Sequence, residues 1–158
     1  SYESYGKIEL SGAKYMPVFS DVVLKTGINF GSATSEKPAI FDRYFAGGIG
    51  TMRGFKRRDV APVDAFDDPL GGNTILTGTV ELLKPVRDFV YLSTFIDIGN
   101  VWWDSFDFDA DDLNMSIGVG LQFKAIPLNL YYGYPIITGY DHLEHRSGRF
   151  HFNIGYSF

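Results

Sequence analysis

Four cations, Arg53, Lys56, Arg57 and Arg58, crowd into GGIGTMRGFKRRDVAP, residues 47–62, among four glycines. Glycine turns beside positive charge are suited to phosphate, because backbone N–H groups and cations can converge on an anion. A phosphate loop, however, needs G-x-x-x-x-G-K-[ST], and a dinucleotide turn needs G-x-G-x-x-G between a strand and a helix. Gly48-Ile49-Gly50 is followed by Arg53 where a third glycine should stand, no Lys-Ser or Lys-Thr pair follows a suitable glycine, and no amphipathic helix comes next. The nucleotide reading is set aside.

Other reactive side chains form weaker patterns. In DSFDFDADD, residues 104–112, Asp107, Asp109 and Asp111 imitate the start of a calcium loop. The pattern then fails, with Asp112 at position six instead of Gly and Gly118 at position twelve instead of Glu. The stretch therefore reads as a solvated loop tip. In DHLEH, residues 141–145, His142 and His145 sit beside Asp141 and Glu144, but H-E-x-x-H on a helix is lacking. No G-x-S-x-G elbow marks a nucleophile. With no cysteine, disulfides, thiolate catalysis and Cys-based metal sites are excluded. No catalytic site, metal or cofactor is expected.

The elements that carry these residues are strands. Aromatics make up 16% of the 158 residues and charged residues only 21%, with 18 glycines. Such a chain is too apolar for disorder and lacks the Ala, Leu, Glu and Lys excess of a helical protein. No run of eighteen apolar residues suits a membrane helix, and SYESYGKIEL has no apolar leader core. A net charge of −5 gives no reason to expect nucleic acid.

Period-two alternation predicts seven strands, at about 3–16, 20–31, 73–84, 89–103, 113–125, 127–138 and 148–158. Met115, Ile117, Val119, Leu121 and Phe123 alternate with Asn114, Ser116, Gly118, Gly120 and Gln122; Phe150, Phe152, Ile154, Tyr156 and Phe158 alternate with His151, Asn153, Gly155 and Ser157. Alternation alone fits a soluble sandwich or a lipocalin-like barrel as well as a membrane barrel. Three details favour the membrane. Several segments reach the length a tilted strand needs to cross a bilayer. The polar faces suit a wet lumen. Aromatics such as Phe89, Tyr91, Trp102, Trp103, Tyr134, Tyr156 and Phe158 gather at segment ends, where an interfacial girdle would lie.

Connections alternate as well. Short turns fall near Pro17, at Pro85-Val86-Arg87-Asp88 and at Ala125-Ile126-Pro127, and longer excursions at 32–72, 104–112 and 139–147. Short turns on one side and long loops on the other characterise outer-membrane barrels. An even strand number is usual there, so seven strands without a leader give the expectation of a C-terminal portion of a longer barrel.

FAGGIGTMRGF, residues 45–55, closely resembles the sixth extracellular loop of BamA-type proteins, the POTRA-barrel superfamily. The [VI]-R-G-[FY] tetrad of that loop reads Met52-Arg53-Gly54-Phe55 here, with Met in place of the β-branched residue. TGTVELLKPV (77–86), FIDIGNVW (95–102), SIGVGLQFKAIPLNLYYGYPI (116–136) and FHFNIGYSF (150–158) are similar to the strands that follow in the family, in the same order. The resemblance spans essentially the whole chain. It implies an all-β, antiparallel transmembrane barrel of which residues 1–158 form about seven C-terminal strands out of sixteen, with the 32–72 loop folded inward.

The resemblance further implies that lumenal carboxylates hold Arg53. Period two independently places Glu81 on the face of Thr77 and Thr79, and Asp97 on that of Ser93, Phe95 and Gly99, so both acids point away from lipid. The alternative is a solvated external loop with ordinary surface cations. Arg53, Gly54, Phe55, Glu81 and Asp97 are thus the expected lumenal latch, with glycines 47, 48, 50 and 54 allowing tight turns. Phe152, Ile154, Gly155, Tyr156 and Phe158 are the expected lateral seam, where Gly155 would weaken closure. The implied activity is insertion of other barrels into the bacterial outer membrane by seam opening, without covalent chemistry. The implied partners are the bilayer and lipopolysaccharide, unfolded outer-membrane substrates, upstream POTRA domains and accessory lipoproteins. A dedicated exporter of the same superfamily, a branch fused to a lipase-like domain, a passive porin and a soluble ligand-binding barrel are the competing classes.

Overall fold

A computed structural model describes residues 6–34, 43–143 and 147–154. Seven strands run in sequence order through one antiparallel sheet: β1 (Lys7–Phe19), β2 (Val22–Ala33), β3 (Thr74–Arg87), β4 (Val90–Trp102), β5 (Asn114–Phe123), β6 (Leu128–Ile137) and β7 (Arg149–Ile154). The first six hold between 10 and 14 residues. At about 3.3 Å per residue each is long enough to cross a hydrocarbon core of about 30 Å at a tilt. Among the described residues β1 pairs only with β2 and β7 only with β6, so the sheet is open.

Side-chain alternation divides the sheet into two unlike faces. Ile28, Val80, Leu82, Leu92, Ile96, Ile117, Val119, Leu121 and Leu130 lie exposed on one. Thr77, Glu81, Ser93, Asp97, Ser116, Gln122 and Asn129 are buried on the other. This inverts the usual soluble arrangement and suits a sheet with lipid outside and polar contents inside.

Three prolines lie within strands, each beside a register irregularity: Pro17 in β1, Pro85 in β3 and Pro135 in β6. Proline donates no backbone hydrogen bond, so a strand tolerates it at an edge or a bulge. This corrects two expected turns. Pro17 pairs with Val23, and the chain reverses at Ser20–Asp21, where Ser20 takes a φ of 49°. Likewise β3 continues through Pro85 to Arg87 before turning at Asp88–Phe89. Connections nonetheless alternate between short and long along the chain.

The apolar core belongs to the long β2–β3 connection. Ala46, Met52, Phe55, Val60 and Ala61 cluster with Val101 of β4 and with Leu143 from the β6–β7 connection. Isolated bridges pair Tyr44 with Gly72 and Ala46 with Val60, giving the connection its own scaffold. The β6–β7 connection closes over it. Tyr140 donates its hydroxyl hydrogen bond to the Val101 carbonyl, and His142 Nε2 donates to the Asp59 carbonyl over 2.7 Å. The described part of the long connection, residues 43–73, is thus a folded plug resting on the polar face.

Candidate functional site

Arg53 projects from this plug onto β3 and β4. Its neighbours Met52 and Phe55 are fully buried in the plug's core, which fixes the backbone on both sides of the arginine. The guanidinium donates from Nε to Asp97 Oδ2 and from Nη2 to Asp97 Oδ1, each at 2.9 Å, a side-on bidentate pair. Nη1 donates to Glu81 Oε2 at 2.9 Å and Nη2 to Thr79 Oγ1 at 3.0 Å. The Arg53 backbone N–H also donates to Asp97 Oδ2 at 2.9 Å.

The acids are held in turn. Thr79 donates its hydroxyl to Asp97 Oδ1 and Ser93 donates to Glu81 Oε2. Glu81 and Asp97 are each 1% exposed and Arg53 7%, so one cation meets two carboxylates out of bulk water. Burial alone would lower the Arg53 pKa, but the hydrogen bonds and charges of Asp97 and Glu81 outweigh it and push the value up. Separating such a group costs several kcal/mol because a charge is left buried without a partner.

Rings complete the enclosure. The guanidinium carbon lies 3.7 Å from the Phe95 ring centroid and 4.8 Å from that of Tyr131, and the two rings meet edge to face at 5.9 Å. Tyr131 is fixed by Gln122 Nε2, which donates to its hydroxyl at 2.9 Å. The room for these rings comes from β5. A β-carbon at Gly118 would lie 2.3 Å from Phe95 Cζ, and one at Gly120 would lie 2.4 Å from Tyr131 Cδ1.

The backbone of Arg53 and Gly54 reaches the remaining strands. Ser116 of β5 donates its hydroxyl to the Arg53 carbonyl. Gly54 takes a φ of +92° and rests against Gly133 of β6 with no space for a side chain. Its N–H donates to Nε2 of His151 on β7 at 2.8 Å. Two adjacent residues of the plug therefore contact β3, β4, β5, β6 and β7.

Of the residues singled out in the sequence, Arg53, Gly54, Glu81 and Asp97 come together. Phe55 turns away from the acids into the plug's core. Gly50 needs no special backbone, with open space around it and no positive φ. Phe152 and Ile154 lie on the opposite face of the sheet, 70% and 75% exposed, paired with Leu130 and Leu128. Gly155, Tyr156 and Phe158 lie outside the described residues. Alternation alone sets Phe95 and Thr79 on the acids' face, but Tyr131, Ser116, Gly133 and His151 join the site only through strand register.

The lesser constellations take structural places. Asp109 accepts from the Asp111 N–H and caps a short 3-10 turn. Phe108 packs on Phe30 and Trp102, with centroids 5.2 and 5.6 Å away. Trp102 is consequently buried and does not join a lipid-facing girdle, whereas Phe89, Trp103 and Tyr134 are exposed. His145 and Glu144 lie outside the described residues. Among the described residues no three metal-ligating side chains converge.

The model of the Omp85 superfamily domain matches residues 1–158. The chain is 32% identical over 125 residues to the outer membrane protein assembly factor BamA of Nitratidesulfovibrio vulgaris, a match covering 75% of this chain and 16% of that protein. It is 31% identical over 87 residues to the protein of the same name from Neisseria meningitidis serogroup B, covering 49% of this chain and 11% of that one. Its fold matches the crystal structure of BamA from Haemophilus ducreyi lacking POTRA domains 1–3, with a TM-score of 0.79 at 25% identity, over 98% of this chain and 35% of that one. The chain thus spans about a sixth of the first of these relatives.

Proposed function

This chain belongs to the Omp85 superfamily, and from that premise we propose that it forms the C-terminal portion of the barrel of an outer-membrane protein assembly factor. Kinship with BamA places it in the bacterial outer membrane. The proposed substrates are unfolded outer-membrane proteins, and POTRA domains with accessory lipoproteins are the proposed companions of the full-length protein.

In this reading Arg53, Gly54, Phe55, Glu81 and Asp97 are the latch. The observation that carries it is the contact of Arg53 and Gly54 with five consecutive strands. A plug that bonds to β3 through β7 opposes their separation, and the edge beyond β7, held by one bond from Gly54 to His151, is the proposed place of opening. A bared strand edge in lipid leaves backbone donors and acceptors unsatisfied, and pairing with an incoming strand satisfies them. Phe152, Ile154, Gly155, Tyr156 and Phe158 form that templating edge. The work required is hydrogen-bond exchange and bilayer deformation, with no covalent step.

Depletion of the full-length protein in its host, followed by quantification of the outer-membrane proteome, tests the reading. Broad loss of unrelated barrels is expected. Persistence of those barrels with loss of one secreted protein would replace the assembly factor with a dedicated exporter.

A further inference from the structure

The only described side chain of β7 that bonds to the plug's tetrad is His151, and the chemistry of its ring makes that bond conditional. The donor is the Gly54 N–H, so Nε2 supplies a lone pair and the imidazole is neutral with its proton on Nδ1. A protonated ring has no lone pair at Nε2. It would set an N–H against an N–H at 2.8 Å and a positive charge close to Arg53.

The charged and titratable groups around the ring come from every neighbouring element. Arg53 of the plug, Arg149 of β7 and Asp97 of β4 all act on it. Arg57 and Arg58 line the same cavity as Arg149 and His151, and Tyr131 stands opposite on β6. A second positive charge here has one carboxylate to set against several guanidinium groups. Meanwhile the Arg53 side-chain bonds to Glu81, Asp97 and Thr79 involve no His151 atom and persist when the ring changes state.

We infer that His151 is a positioning residue that ties the plug to the terminal strand, and that protonation of its ring releases β7 from the plug while the Arg53 grip on β3 and β4 remains. The inference deepens the proposed function and rests on its reading of β7 as the seam strand. It divides the tetrad's work in two: a permanent hold through the side chain of residue 53, and a releasable one through the backbone of residue 54.

Hydrogen exchange of the full-length protein in lipid nanodiscs tests this, with rates corrected for intrinsic pH dependence. In His151→Ala the Gly54 amide and the β7 amides are expected to exchange about tenfold faster, as for loss of one hydrogen bond, with β3 and β4 unchanged. His151→Gln presents an amide oxygen near the Nε2 position and is expected to keep protection at every pH. The wild type should lose protection of Gly54 and β7 only as pH falls below the ordinary imidazole value of about 6.5, because burial and the charges of Arg149 and Arg53 oppose protonation of the ring. Equal pH responses of wild type and His151→Gln, or unaltered β7 exchange in His151→Ala, would overturn the inference. These readouts are independent of the depletion experiment, so failure of either claim is distinguishable from failure of the other.

Discussion

Gly54 and Gly133 meet backbone to backbone. A β-carbon at Gly133 would lie 2.6 Å from the Gly54 nitrogen, and one at Gly54 would lie 3.1 Å from the Gly133 carbonyl carbon. Both atoms met are main chain, so no side chain can rotate away to make room. Gly133→Ala is therefore expected to lift the tetrad off β6 and to destabilise the full-length barrel by about 1–3 kcal/mol, the usual cost of overpacking. Gly50→Ala, with nothing within 4 Å of the added carbon, serves as the control and should leave stability within about 0.5 kcal/mol. Thermal unfolding in detergent checks the pair, and equal midpoints would contradict the contact.

The two carboxylates share Arg53 unequally, which ranks their substitutions. Asp97 accepts from Nε, Nη2 and the backbone N–H of residue 53, while Glu81 accepts from Nη1 alone. Asp97→Asn is expected to destabilise more than Glu81→Gln in the same unfolding assay. Arg53→Ala leaves both acids buried without their cation and should cost about 3–5 kcal/mol. Arg53→Lys should recover less than half of that, because an ammonium cannot reproduce the side-on fork to Asp97. A reversed order of the two acids would show that the bonds differ in value from their number.

The rings offer a separable test. Phe95→Leu keeps apolar bulk but removes the π face beneath the guanidinium, for an expected loss of about 0.5–2 kcal/mol. Gly118→Ala drives a carbon into the same ring and against the Tyr132 carbonyl oxygen, which would lie 2.2 Å away. The two effects should be partly non-additive, since the smaller leucine relieves the ring contact but leaves the Tyr132 carbonyl in place. Additive losses in a double-mutant cycle would mean that Gly118 clears the Tyr132 carbonyl and not the Phe95 ring.

The division between legible and hidden parts of this site follows from the range of each signal. Alternation is local, so the faces of Glu81 and Asp97 could be read from Thr77, Thr79, Ser93 and Phe95 alone. The tetrad at Met52 to Phe55 could be read because a family resemblance carried it. Tyr131 and His151 could not, since their meeting with residues 53 and 54 depends on the register of β5, β6 and β7. Gly118 and Gly120 stand in the sequence simply as members of the polar alternation, and the Phe95 and Tyr131 rings that occupy the space beside them come from other strands. Pro17 and Pro85 suggest turns in the sequence because proline cannot donate to a strand ladder, whereas here a register irregularity accommodates each. Trp102 carried the composition of a girdle residue, but Phe108 from the neighbouring loop covers it.

The plug's lid can be tested from outside the barrel. Leu143, fully buried, reaches from the β6–β7 connection into the plug's core. Leu143→Ala should leave a cavity costing about 2–5 kcal/mol and loosen the plug around residues 56–58, where Lys56, Arg57 and Arg58 offer trypsin three sites. Faster cleavage of intact cells or proteoliposomes at those residues is expected. Unchanged cleavage would place the plug's stability in its contacts with the sheet alone.

Tyr140 gives the lid a dependence on alkaline pH. Burial, with the charge of Asp112 adding to it, pushes the hydroxyl up to about 12, and in the neutral form it donates to the Val101 carbonyl. An unfolded tyrosine ionises near its ordinary value of about 10, so above that pH the unfolded chain sheds a proton that the folded chain keeps. The sign is therefore a loss of stability as pH rises: the contribution is complete below pH 10 and declines through about 12. Tyr140→Phe forfeits the hydrogen bond at neutral pH but carries no proton to lose. The wild-type advantage over Tyr140→Phe should thus shrink across that window in unfolding of the full-length protein. A constant difference would mean that Tyr140 ionises equally in both states, and that the lid leaves its hydroxyl open to water.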